Sequence, residues 1–127
     1  MNRRVILIED DVDTAYLMQT LLETRKFETT HLPDRIHALE QVIHIRPAVL
    51  ILDIRTDGPP ISVLVETVRE RFPQIRVVLV SAAANLAMVA DALGVRFFLE
   101  KPFDPDKFLS LVEDALKSGE HCSVQIE

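Results

Sequence analysis

Cysteine is almost absent: Cys122 is the single one in 127 residues, and it stands near the C-terminus without a partner. That excludes an intrachain disulfide and a cysteine-rich zinc site, and it fits a cytoplasmic address. Long apolar runs are missing too. Nothing approaches the roughly 20 residues that cross a bilayer, so no membrane partner is expected, and Met1 to Arg4 does not open a signal peptide. Positive charge is the minority: 14 Lys and Arg face 20 Asp and Glu, a formal net charge of −6. With no basic stripe to hold a phosphate backbone, direct nucleic-acid binding is disfavoured. No repeat, low-complexity segment or interdomain linker interrupts the chain.

What the chain does contain is 48% hydrophobic residues, enough for one domain with a real core. Aliphatic runs alternate five times with stretches of helical period. The runs are Val5 to Ile8, Phe27 to Leu32 as an edge strand, Ala48 to Leu52, Val77 to Val80 and Val95 to Leu99. Runs bounded by polar residues without internal alternation suit a parallel sheet covered on both faces. Between them, four faces repeat at helical spacing: Ala15, Met18, Leu21 and Leu22; Ile36, Leu39, Val42 and Ile43; Leu64, Val65, Val68 and Phe72; and Leu86, Val89, Ala90 and Leu93. Pro47 and Pro73 stop the second and third helices, and Gly94 suits the left-handed residue past the fourth. Asp104 and Pro105 form an N-cap and first-turn pair for a fifth helix burying Phe108, Leu109, Val112 and Leu116, with Gly119 closing it. The expected fold class is α/β: a (βα)5 doubly wound sandwich with right-handed crossovers.

Acidic residues punctuate two of these strands. Glu9, Asp10 and Asp11 follow the first, and Asp53 follows the third. Ligands of open α/β sheets bind beyond the carboxyl ends of the strands, so these acids are expected to share one crevice. Carboxylates crowded together repel one another and raise their pKa values unless a cation joins them, which makes sense of the cluster as a Mg²⁺ site. A carboxylate can also attack phosphorus to form an acyl phosphate, and Asp53 is the candidate nucleophile. Asp11 reads as a helix cap. His31, His37, His44 and His121 lack metal-ligand spacing and are expected away from the crevice.

Glu9-Asp10 after strand one, Asp53 after strand three, Ser81-Ala82 after strand four and Lys101-Pro102-Phe103 after strand five together resemble the receiver domain of two-component response regulators, over roughly Arg3 to Ser118. The resemblance implies a flavodoxin-like, CheY-like sheet of order 2-1-3-4-5, with a receiver domain at 1–119 and a tail at 120–127. It implies phosphoryl transfer to Asp53 from a sensor histidine kinase or phosphotransfer protein. It also implies Mg²⁺ held by Asp10, Asp53 and the Arg55 carbonyl, with Glu9 on a metal-bound water. Lys101 would pair with Asp53 or the phosphoryl group, across a Lys101–Pro102 bond that can be cis. Ser81 and Phe98 would form the switch, Ser81 bonding the phosphoryl oxygen and Phe98 swinging inward. A downstream protein partner or output domain, or a homodimer through the helix 4, strand 5, helix 5 face, would read the change.

The sequence departs from that family at two places. After Asp53 it reads Ile54-Arg55-Thr56-Asp57-Gly58-Pro59-Pro60, with Asp57 where the family has proline; Asp57 is expected to add negative charge near the crevice, and the Pro59-Pro60 pair to stiffen the loop and shift the start of helix three. The span from Ser81 to Gly94 is about two residues short, and Phe98 replaces a frequent tyrosine. Two rival readings follow. One is a degenerate receiver acting as a phosphorylation-independent interaction module, for which the altered loop speaks. The other is an enzyme on the same scaffold: a flavin protein, which would need a phosphate-binding loop where this chain has acids, or an aspartate-nucleophile phosphatase, which would need an acid where Arg55 stands. The residues favour a signalling phosphoacceptor that is not an enzyme beyond its own phosphorylation and dephosphorylation. It is either stand-alone or excised from a larger protein, with Met1 and the tail favouring the former.

Overall fold

The structure is a computed structural model describing residues 1–125, with side chains through Ser118; His121 and Cys122 have side chains outside that range. Five strands and five helices alternate: β1 (Arg4–Ile8), α1 (Val12–Glu23), β2 (Glu28–Leu32), α2 (Ala38–Ile45), β3 (Val49–Leu52), α3 (Ile61–Arg71), β4 (Arg76–Ser81), α4 (Leu86–Leu93), β5 (Phe97–Glu100) and α5 (Pro105–Gln125). All pairings are parallel and the sheet order is β2-β1-β3-β4-β5. The aliphatic runs form the middle of the sheet because it has two covered faces. Val5, Leu7, Val49 and Ile51 pack on one side with α1 and α5, while Ile6, Ile8, Leu50 and Leu52 pack on the other with α2, α3 and α4.

Local signals set most of the boundaries. Asp11 caps α1 by accepting the Thr14 amide at 3.1 Å. Gly94 ends α4 at φ +68, and Asp104 accepts the Asp106 amide at 2.8 Å under the first turn of α5. The Pro59-Pro60 pair sets the start of α3 at Ile61, with Pro60 at its N-cap.

Other expectations are corrected. β2 begins at Glu28 and β5 at Phe97, one and two residues later than the apolar runs suggest. Val95 and Phe27 are still buried, as loop residues that plug the core. Ile36 and Ile43 do not line α2. The helix begins at Ala38 and turns Ala38 and Val42 inward, which leaves Ile36 57% and Ile43 40% exposed. Gly119 does not close α5, whose helical backbone continues to Gln125.

Candidate functional site

Backbone pairing runs one residue past the strand ends and so builds the site. The Glu9 amide donates to the Leu32 carbonyl at 3.0 Å, the Asp53 amide to Ile8 at 3.0 Å, and the Lys101 amide to Ser81 at 3.0 Å. Residues far apart in sequence thus emerge side by side at the C-terminal rim of the sheet. Glu9, Asp53 and Ser81 are buried, at 1%, 4% and 0% exposure, while Asp10 is exposed.

Asp53 is the centre of the network. Its Oδ1 accepts the Ser81 hydroxyl at 2.8 Å and the Arg55 amide at 2.9 Å, and its Oδ2 accepts Lys101 Nζ at 2.7 Å. Lys101 Nζ also bonds Glu9 Oε1, whose second oxygen takes the Asp11 amide at 3.1 Å. The Ser81 oxygen in turn accepts the Ala83 amide at 3.2 Å. The Lys101–Pro102 peptide is cis.

The electrostatics follow from that wiring. Burial works against a charged Asp53, but the bonds from Lys101, Arg55 and Ser81 outweigh it and hold the carboxyl below its ordinary pKa. At Glu9 burial wins over Lys101 and the Asp11 amide, and Asp53 adds repulsion, so its pKa is raised. Burial works against the Lys101 charge, but Asp53 and Glu9 lift its pKa above the ordinary value. One ammonium therefore does not fully compensate the acids. Ligand oxygens of Glu9, Asp10 and Asp53 lie within 4.8 Å of one another, an all-oxygen set of the kind hard divalent cations take.

The structure brings together Glu9, Asp10, Asp53, Ser81, Arg55 and Lys101. It leaves Phe98 outside, 38% exposed on edge strand β5, because β5 alternates inward and outward residues and Phe98 points out. His31 corrects an expectation. Although expected away from the crevice, its Nε2 lies 2.6 Å from the Glu9 carbonyl, because β2 pairs in parallel with β1 and sets His31 beside Leu7. The charge of Asp57 supports that of Arg35.

Arg35, in the turn after β2, gave no signal in the sequence. Its side chain is buried without a carboxylate partner among the described residues, and it grips the β3–α3 loop. Nε donates to the Pro59 carbonyl at 2.9 Å, and Nη1 donates to the Thr56 carbonyl and to its hydroxyl oxygen at 2.9 Å. Thr56, also buried, donates its hydroxyl to the Asp53 carbonyl at 2.8 Å.

Fold and rim together define a doubly wound α/β module whose buried aspartate is bridged by a lysine to a neighbouring acid. Residues 5–113 match the family model described as the response regulator receiver domain, and the chain belongs to that family. It is 27% identical over 122 residues to the nitrogen assimilation regulatory protein NtrX of Azorhizobium caulinodans, covering 93% of this chain and 27% of that one. It is 24% identical to sporulation initiation phosphotransferase F of Bacillus subtilis, covering 92% and 93%. Among solved structures, NtrX of Brucella abortus with ADP superposes with a TM-score of 0.83 at 27% identity, over 97% of this chain and 28% of that one. A CheY-like receiver domain protein of Methanospirillum hungatei gives 0.85 at 18%, over 95% and 98%. The chain spans about a quarter of the length of the NtrX and NtrC relatives it matches. No helix among the described residues is long and apolar enough to cross a membrane.

Proposed function

We propose that Asp53 accepts a phosphoryl group from a phosphohistidine of a sensor histidine kinase or phosphotransfer protein, with Mg²⁺ bound by Asp10, Asp53 and the Arg55 carbonyl and a metal-bound water held by Glu9. The observation that carries this reading is the wiring of Asp53: a buried, ionised carboxylate with Lys101 on one oxygen and Ser81 on the other. An Asp53 oxygen attacks phosphorus, the N–P bond breaks, and the electron pair leaves with the donor imidazole. Such transfer needs charge neutralised on the equatorial oxygens rather than proton chemistry. Lys101 supplies a fixed positive charge and Ser81 a hydroxyl for them, and Mg²⁺ neutralises further oxygen charge when bound.

Donor access runs over α1. Val12, Tyr16 and Leu17 are 73%, 72% and 46% exposed, and Leu17 borders a cavity of about 300 Å³ lined also by Thr14, Ala82, Lys101, Pro102 and Phe103. Its apolar wall continuous with Lys101 suits an amphipathic helix presenting a histidine. The signal leaves on the other side. When Ser81 follows the new phosphoryl oxygen, Phe98 swings inward, altering the α4, β5, α5 face toward a downstream protein, an output domain or a second copy. This is cytoplasmic signalling rather than turnover of an external substrate, carried by a receiver unit at 1–119 with 120–127 as its tail.

The test is incubation with acetyl phosphate. Intact mass should rise by one phosphoryl group only with Mg²⁺ present, and Asp53→Asn should abolish the gain. No gain in wild type would favour a phosphorylation-independent interaction module instead.

A further inference from the structure

The β3–α3 loop is held by one residue from another part of the chain. Arg35 addresses four consecutive carbonyls. Its side chain bonds Thr56, Gly58 at 3.5 Å and Pro59 at 2.9 Å, and its own amide donates to Asp57 at 2.7 Å. The loop lies so close that a Cβ on Gly58, at φ +134, would stand 2.7 Å from Arg35 Cβ. A guanidinium has the rigid, planar fork of donors this requires; a lysine ammonium does not. Burying it among carbonyls, with no salt bridge to an acid among the described residues, is a costly way to close a surface loop.

The placement of the grip suggests its use. Thr56 passes it to the phosphoacceptor: its hydroxyl and its amide both donate to the Asp53 carbonyl, at 2.8 and 3.3 Å. The Asp53 amide is itself tied to β1 through Ile8. The peptides of Ile54 and Arg55 therefore hang between two fixed ends. The Thr56 amide belongs to the same planar peptide as the Arg55 carbonyl, so aiming its N–H at Asp53 turns that carbonyl the opposite way. Loosening Thr56 would free that carbonyl to rotate.

We propose that Arg35 is a positioning residue for the cation site, setting divalent-cation affinity through the orientation of the Arg55 carbonyl. This rests on the reading of the acidic crevice as a Mg²⁺ site. Groups that orient metal ligands typically change affinity by about 10- to 100-fold when removed.

The experiment is Mg²⁺ titration of the whole chain by calorimetry, for wild type, Arg35→Ala, Arg35→Lys and Thr56→Val. A parallel series measures the rate of acetyl phosphate labelling against Mg²⁺ concentration. Arg35→Ala should weaken Mg²⁺ binding about 10-fold or more, and Thr56→Val should weaken it less. Arg35→Lys should resemble Arg35→Ala, because charge without the fork does not hold the loop. Labelling should need correspondingly more Mg²⁺ and approach the wild-type rate at saturation. Unchanged affinity in folded Arg35→Ala and Thr56→Val, or a rate lost at saturating Mg²⁺ with unchanged half-saturation, would overturn the proposal alone. Wild type that binds no Mg²⁺ would overturn the site reading together with it.

Discussion

Replacing Lys101 by methionine removes the cation that, among the described residues, touches both buried acids, and keeps the length of the side chain. Glu9, 1% exposed, would then face Asp53, 4% exposed, with no ammonium between them. Breaking a buried pair on one side costs about 3–5 kcal/mol, but here proton uptake sets a ceiling. A carboxyl with the ordinary glutamate pKa of 4.5 can be neutralised at pH 7 for about 3.4 kcal/mol, at about 1.36 per pH unit, and at pH 5 for about 0.7. Lys101→Met should therefore lose about 3 kcal/mol at pH 7, or about 12 °C in Tm for a domain of this size, and under about 1 kcal/mol at pH 5. The sign is fixed by the direction of the shift. Without Lys101, the Glu9 pKa rises further above its ordinary value, so the stability of the variant is full below that value and falls as pH rises through the raised one. In wild type the raised Lys101 pKa keeps its contribution in place below 10.5, and the lowered Asp53 pKa keeps its own above 3.8. Mg²⁺ at 100 times its Kd would restore about 2.7 kcal/mol, and it should stabilise the variant more than wild type because no ammonium competes. Thermal melts at pH 5 and 7, with and without Mg²⁺, measure all of this. A variant as stable as wild type at pH 7 without Mg²⁺, or one that gains stability with rising pH, would refute the reasoning.

Ser81→Ala deletes the donor to Asp53 Oδ1 and leaves the Ala83 amide without its acceptor. A hydrogen bond to a charged group contributes about 1.5–3 kcal/mol, so acetyl phosphate labelling should slow by about 10- to 100-fold while circular dichroism is unchanged; a wild-type rate would remove Ser81 from the site. Gly58→Ala places a methyl against Arg35 Cβ in a conformation that alanine rarely adopts. Strain of about 1–3 kcal/mol is expected, read as a lower urea midpoint at unchanged slope.

Much of this was legible in the sequence because it is local. Val5 to Ile8 and Val49 to Leu52 are aliphatic throughout because both faces of their strands are covered, and the polar residue that ends such a run marks the rim. Asp11, Gly94 and Asp104 act within their own turns. Errors arose where a distant element chose the outcome. Ile36 has the spacing of a core residue, yet Arg35 beside it turns inward to the β3–α3 loop, the helix starts two residues later, and Ile36 faces solvent. His31 was misplaced because the pairing of edge strand β2 with β1 sets it beside Leu7, within reach of the Glu9 carbonyl.

The identities and order of Glu9, Asp53, Ser81 and Lys101 are determined by the sequence alone, since each follows an aliphatic run that must end at the sheet rim. The tertiary structure decided the wiring: Lys101 between two acids, Ser81 on Asp53 Oδ1, His31 at the Glu9 carbonyl and Arg35 around the Asp53 loop. Periodicity reports which face of an element is buried. Which polar groups meet across 20 to 90 residues depends on strand order and register, where each buried donor must find an acceptor.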